Sequence, residues 1–110
     1  FSIAAPDALE GYPEKQIAVI ENDIAEVTFN NEDGQEVCFR KGLGTGDISG
    51  DYNDYAHTET RTIGDKTVTC KGSGSLVYNA AWNDDTYAYS ILSTAGMTAE
   101  QLTAWVGSLA

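Results

Sequence analysis

Two adjoining stretches, residues 75–92 and 98–109, constrain this chain most. The first reads as a β-hairpin. Ser-Leu-Val-Tyr-Asn-Ala-Ala-Trp leads into Asn83, Asp84, Asp85 and Thr86, and Tyr-Ala-Tyr-Ser-Ile-Leu leads out. With Asp84 and Asp85 at the turn, Trp82 pairs with Tyr87, Ala80 with Tyr89 and Tyr78 with Ile91. Opposite residues point the same way and side chains alternate with period two, so these pairs share one bulky, aromatic face. Val77, Asn79, Ala81, Ala88, Ser90 and Leu92 make the other, smaller face. A one-residue slip would destroy that sorting. The second stretch predicts a helix. Thr98 is its N-cap, Gln101 completes a capping box, and Met97 with Leu102 forms a hydrophobic staple. Leu102, Trp105, Val106 and Leu109 then fall on one stripe. That stripe is expected on the Tyr78–Trp82–Tyr89 face, where large side chains can meet Trp105. The converse arrangement, with the helix on Ala81 and Ala88, would leave an open aromatic platform. Tyr52, Tyr55, Tyr78, Trp82, Tyr87 and Tyr89 are therefore the candidate ligand-binding residues.

The rest of the chain supplies more strands. Residues 5–14 form a loop punctuated by Pro6, Gly11 and Pro13. Residues 16–21 are apolar and β-branched, a strand. Residues 24–30 alternate, with Ala25, Val27 and Phe29 on one face. Asn31, Glu32, Asp33 and Gly34 make a hairpin turn. In 35–41, Val37 and Phe39 point inward while Glu36, Cys38 and Arg40 point the other way. Residues 58–63 are Thr-rich, as suits an edge strand, and 66–71 are their partner. The predicted fold is α+β: a curved antiparallel meander of six to seven strands with one C-terminal helix on one face, in a single domain over 1–110.

Composition limits the functional classes. The chain has 110 residues, 17 acids against 6 bases, and a formal net charge of −11. That charge repels phosphate backbones and anionic headgroups, which argues against nucleic acid and direct membrane contact. No apolar run approaches the roughly 20 residues of a membrane span. The chain opens on Phe1 rather than Met, which reads as a mature or trimmed piece, with any anchor outside it. A secreted or cell-surface setting follows as an expectation, and a monomer with it.

Chemistry-bearing motifs are sparse. His57 is the only histidine, and with two cysteines it falls short of the usual zinc ligand count. A Cys–His nucleophilic pair is formally open, but the sequence holds no nucleophile elbow or phosphate loop. Carboxylates are plentiful, so a small carboxylate-dependent hydrolase is the alternative to a binding domain. Residues 42–54 form a long Gly-rich loop. Within it Asp47, Asp51, Asn53 and Asp54 are weak calcium candidates, because closely spaced oxygens suit Ca²⁺; the spacing is not an EF-hand, and turn-capping is the simpler reading. No cofactor is expected. Cys38 and Cys70 are a candidate disulfide on secreted context, although they lie out of phase and a bulge would be needed to bring them together.

A family resemblance runs along nearly the whole chain. Phe1, Ile3, Pro6, Leu9, Gly11 and Tyr12 open it. Ile24-Ala-Glu-Val-Thr-Phe, Arg40-Lys41, Asp47-Ile-Ser-Gly-Asp-Tyr-Asn-Asp-Tyr55, Ala81-Trp82 and Tyr87-x-Tyr89-Ser90 continue it, and Thr98-x-Glu100-x-Leu102 opens the last helix. In these the chain resembles a domain-of-unknown-function family of Gram-positive secreted lipoproteins and anti-sigma-factor ectodomains. The resemblance implies a cell-surface setting, a sheet-plus-helix fold and no catalytic residues. The two cysteines depart from the pattern. The expected function is ligand binding or sensing by the ectodomain of an anchored protein, with a small molecule, lipid or protein as partner. A structural spacer is a third reading.

Overall fold

The computed structural model describes residues 3–20, 23–44 and 55–110. Strands β1 (Glu14–Ile20), β2 (Ile24–Asn30) and β3 (Glu36–Leu43) form one antiparallel run. Strands β4 (His57–Ile63), β5 (Lys66–Ser73), β6 (Leu76–Asn83) and β7 (Tyr87–Met97) form another, and helix α1 (Ala99–Ser108) follows. The seven strands make one sheet in the order β1-β2-β3-β7-β6-β5-β4. This is the α+β arrangement the pattern predicts, with one correction: the sheet is two meanders joined by β3 pairing with β7, not one. The long loop gains a physical reason. The chain leaves β3 at Leu43 and enters β4 at His57, on the far edge. At about 4.8 Å per strand it must cross roughly 19 Å, too far for a tight turn.

Cross-strand partners point to the same face, so the register sorts the side chains. One row runs Ile17, Val27, Phe39, Ile91, Ala80 and Cys70. Beside it lie Phe29 opposite Val37, and Lys41 opposite Tyr89 opposite Trp82. Helix α1 covers this face, and Leu102, Val106 and Leu109 are buried in the same cluster as Phe39, Trp82, Tyr89 and Ile91. Trp105 meets Phe39 edge to face at 6.0 Å. The helix therefore packs on the aromatic face, as the sizes of the side chains require. Its start is as read: Thr98 accepts from the Gln101 amide and the Gln101 side chain accepts from the Thr98 amide.

The opposite face carries two other rows. Glu26, Arg40, Ser90, Ala81 and Thr69 form one; Thr28, Cys38, Leu92, Asn79 and Lys71 form the other.

The hairpin register differs from the sequence reading by two residues. Trp82 pairs with Tyr89 and Ala80 with Ile91. The cause is Asp84, which closes the turn instead of sitting at its tip. Its amide donates to the Tyr87 carbonyl at 2.9 Å, and its carboxylate receives the Thr86 and Tyr87 amides. A shift of two preserves facing, so the aromatic sorting survives. Tyr78 is the exception. It falls in the irregularity between Val77 and Asn79, has no opposite partner and stacks on Tyr55 at 6.1 Å.

Candidate functional site

The expected disulfide is absent, because the fold forbids it. Cys38 lies on β3 and Cys70 on β5, with β7 and β6 between them, and their rows face opposite sides of the sheet. Three strand spacings are roughly 14 Å, about twice the Cα separation a disulfide tolerates. Both thiols are free and buried. Burial pushes the Cys38 thiol up to about 11, and burial also raises Cys70. A nucleophilic cysteine needs the reverse shift. His57 stands at the exposed start of β4, with Nε2 3.5 Å from Glu59.

Asp47, Asp51, Asn53, Asp54 and Tyr52 lie outside the described residues. Among the described residues, no three His, Cys, Asp or Glu side chains gather as a metal site would require.

The remaining aromatic candidates divide into two groups. Tyr55 and Tyr78 are half-buried and stacked on each other. Trp82, Tyr87 and Tyr89 gather at the turn end of the β6–β7 hairpin. Trp82 and Tyr89 lie nearly parallel, 5.4 Å apart, and are only 6% and 8% exposed. They are thus a floor, not the open platform that a helix on the other face would have left. Lys41 is inward-facing on β3, and its ammonium sits 4.3 Å from the centre of the Tyr87 ring and 5.7 Å from that of Tyr89. Asp84 ties the group to the turn. Oδ1 accepts from the Tyr87 amide at 2.7 Å and the Thr86 amide at 2.8 Å, while Oδ2 accepts from the Tyr89 hydroxyl at 3.2 Å. Those bonds, the Tyr87 amide first, hold its carboxyl below the usual carboxylate range. Burial and the Asp84 charge push the Tyr89 phenol up.

A cleft of about 270 Å³ opens beside this group. Trp82 and Tyr89 line it, with Asn83 and Asp84 from one hairpin turn and Asp65 and Lys66 from the β4–β5 turn. Gly107, Leu109 and Ala110, at the helix end, close the remaining side. The indole Nε1 of Trp82 is buried with no hydrogen-bond partner among the described residues.

A second polar group lies on the face of the sheet opposite the helix. Arg40 Nε donates to Glu26 Oε2 at 2.7 Å, and the Thr28 hydroxyl donates to Glu26 Oε1 at 3.0 Å. Thr28 also reaches the Cys38 sulfur at 3.6 Å.

Sequence reasoning missed Lys41 and the cleft. For Lys41 a signal existed, since it continues the inward phase of Val37 and Phe39. For the cleft there was none, because its walls come from two turns and a helix end far apart in the chain. Comparison with protein-family models, with curated proteins and with solved structures returns no match.

Proposed function

We propose that this chain is a non-catalytic binding or sensing domain of an anchored cell-surface protein, and that its ligand enters the cleft at the end of the helix. The observation that carries this reading is the Trp82–Tyr89 pair lining one cleft with the Asp65 and Asp84 carboxylates, Asp65 lying 3.8 Å from the Lys66 ammonium. Aromatic rings beside carboxylates suit a ligand with a positively charged head, and the chain already seats its own Lys41 ammonium on Tyr87 and Tyr89. The volume suits a small molecule rather than a lipid chain. The family resemblance supports the surface setting, and the net charge of −11 disfavours polyanionic partners.

A carboxylate-dependent hydrolase is the second reading, favoured by Asp65 and Asp84 lining one cleft. Such chemistry needs one carboxyl held protonated near neutral pH. Asp84 is held in the opposite state, with both oxygens already bonded. Asp84 is therefore not that proton donor.

The test is a titration of the Trp105→Phe variant with tetramethylammonium, following Trp82 emission against sodium at equal ionic strength. A saturable change with tetramethylammonium alone, weakened in Asp65→Asn, supports the cleft. An identical response to both cations removes it.

A further inference from the structure

We infer that the edge of β1, unpaired among the described residues, is a self-association surface, and that its partner is a second copy of this chain added antiparallel to extend the sheet.

The two ends of the sheet differ. β4 ends it with Thr58, Thr60 and Thr62 on one face and the Glu59–Arg61 ion pair on the other, with Arg61 Nε 2.7 Å from Glu59. That edge is blunted by polar and charged side chains. β1 ends the other side, and residues 16–20 read Gln-Ile-Ala-Val-Ile, without a charge. Ile17 is 71% exposed and Val19 65%, two of the most exposed large apolar side chains among the described residues. Both lie in the helix-face rows, since Ile17 pairs with Val27 and Val19 with Ala25. They also wall a groove of about 530 Å³ whose other side includes Ile3 and Ala5. Apolar surface thus continues from the strand into the groove, where Asp7 and Lys15 also line it.

The strand is self-complementary. A two-fold axis through Ala18 sets Ile17 of each copy against Val19 of the other, on the same face. A one-residue slip would move these side chains out of opposition. Net charge opposes the contact, and the strand itself keeps that cost low. Two chains of −11 repel, and residues 16–20 are a stretch of the edge strand that carries no carboxylate. Association should therefore strengthen as salt screens the remaining repulsion, the reverse of an ion-paired interface. A single added strand makes a small interface, so assembly depends on concentration. The monomer expected from the sequence is then the dilute limit.

Sedimentation tests this from about 10 µM to about 1 mM, where small interfaces assemble. The weight-average mass should rise from 11.8 kDa toward twice that value, and rise further with added salt. The double variants I17K/V19K and I17E/V19E should each stay monomeric, because like charges then face each other. Their equimolar mixture should dimerise again. T60K on β4 should leave the dimer intact. A monomer throughout overturns the inference and leaves the edge to a foreign strand or to none. A dimer that survives I17K/V19K, or is lost in T60K, overturns it too. If the double variants melt early, amide exchange in β1 of the unaltered chain decides. Protection that rises with concentration supports pairing, and protection independent of concentration refutes it.

Discussion

Asp84 shows how much one side chain decides here. The carboxylate organises the hairpin turn and anchors Tyr89. Its folded-state pKa is lowered, so the stabilisation it gives is present above the ordinary carboxylate range. It is lost as pH falls through the lower, folded value. Asp84→Asn should melt earlier than the unaltered protein at neutral pH, and the gap between their melting points should narrow as the medium is acidified. A constant gap would detach the turn from that charge. Cys38 carries the opposite sign. Its thiol is held near 11 against an ordinary 9.0, so the neutral form is favoured and that stability is lost as pH rises between those values. Below that window, Cys38 and Cys70 should both resist alkylation in the folded protein. Without reductant, both should label after denaturation, and intact mass should not change on reduction. A mass gain of two protons on reduction would show a bridge that the sheet order does not permit.

At the scale of elements, the legible parts were those set by local rules. The capping box at Thr98 and Gln101 needs only four consecutive residues, and it forms as read. Thr98→Ala should cost about 1 kcal/mol of stability in a denaturant melt. A neutral result would mean that packing alone fixes the helix start. The alternation in β2 and β3 likewise showed its inward residues, because period two is written in the chain itself. Registers were harder. The β6–β7 pairing turned on whether Asp84 caps the turn or tops it, and composition does not distinguish those cases. The break at Val77–Asn79 was hidden as well. It is matched by another at Lys71–Gly72, where a Cβ on Gly72 would collide with the Leu76 carbonyl oxygen. Gly72 is thus required by close backbone approach, a tertiary fact that a single glycine in a strand pattern only hints at. The cysteines failed for a related reason. Their opposite phases were visible, but the two strands between them were not.

For the whole molecule, the decisive event is the pairing of β3 with β7, which joins the two meanders and brings Lys41 beside Tyr89. That contact spans about half the chain in sequence, so no local pattern announces it. It completes the face on which α1 lies. It also makes the Trp82–Tyr89 pair the floor of the cleft between two turns and the helix end. Burial on this scale makes Trp82→Ala costly, about 3–5 kcal/mol. The proposed binding mode depends on the helix covering Trp82, and the most direct measurement is the emission of Trp82 in the Trp105→Phe variant. Blue-shifted emission that acrylamide quenches poorly is the expected result, because Trp82 is only 6% exposed beneath the helix. Red-shifted, readily quenched emission would contradict it and return the ligand site to an open aromatic face.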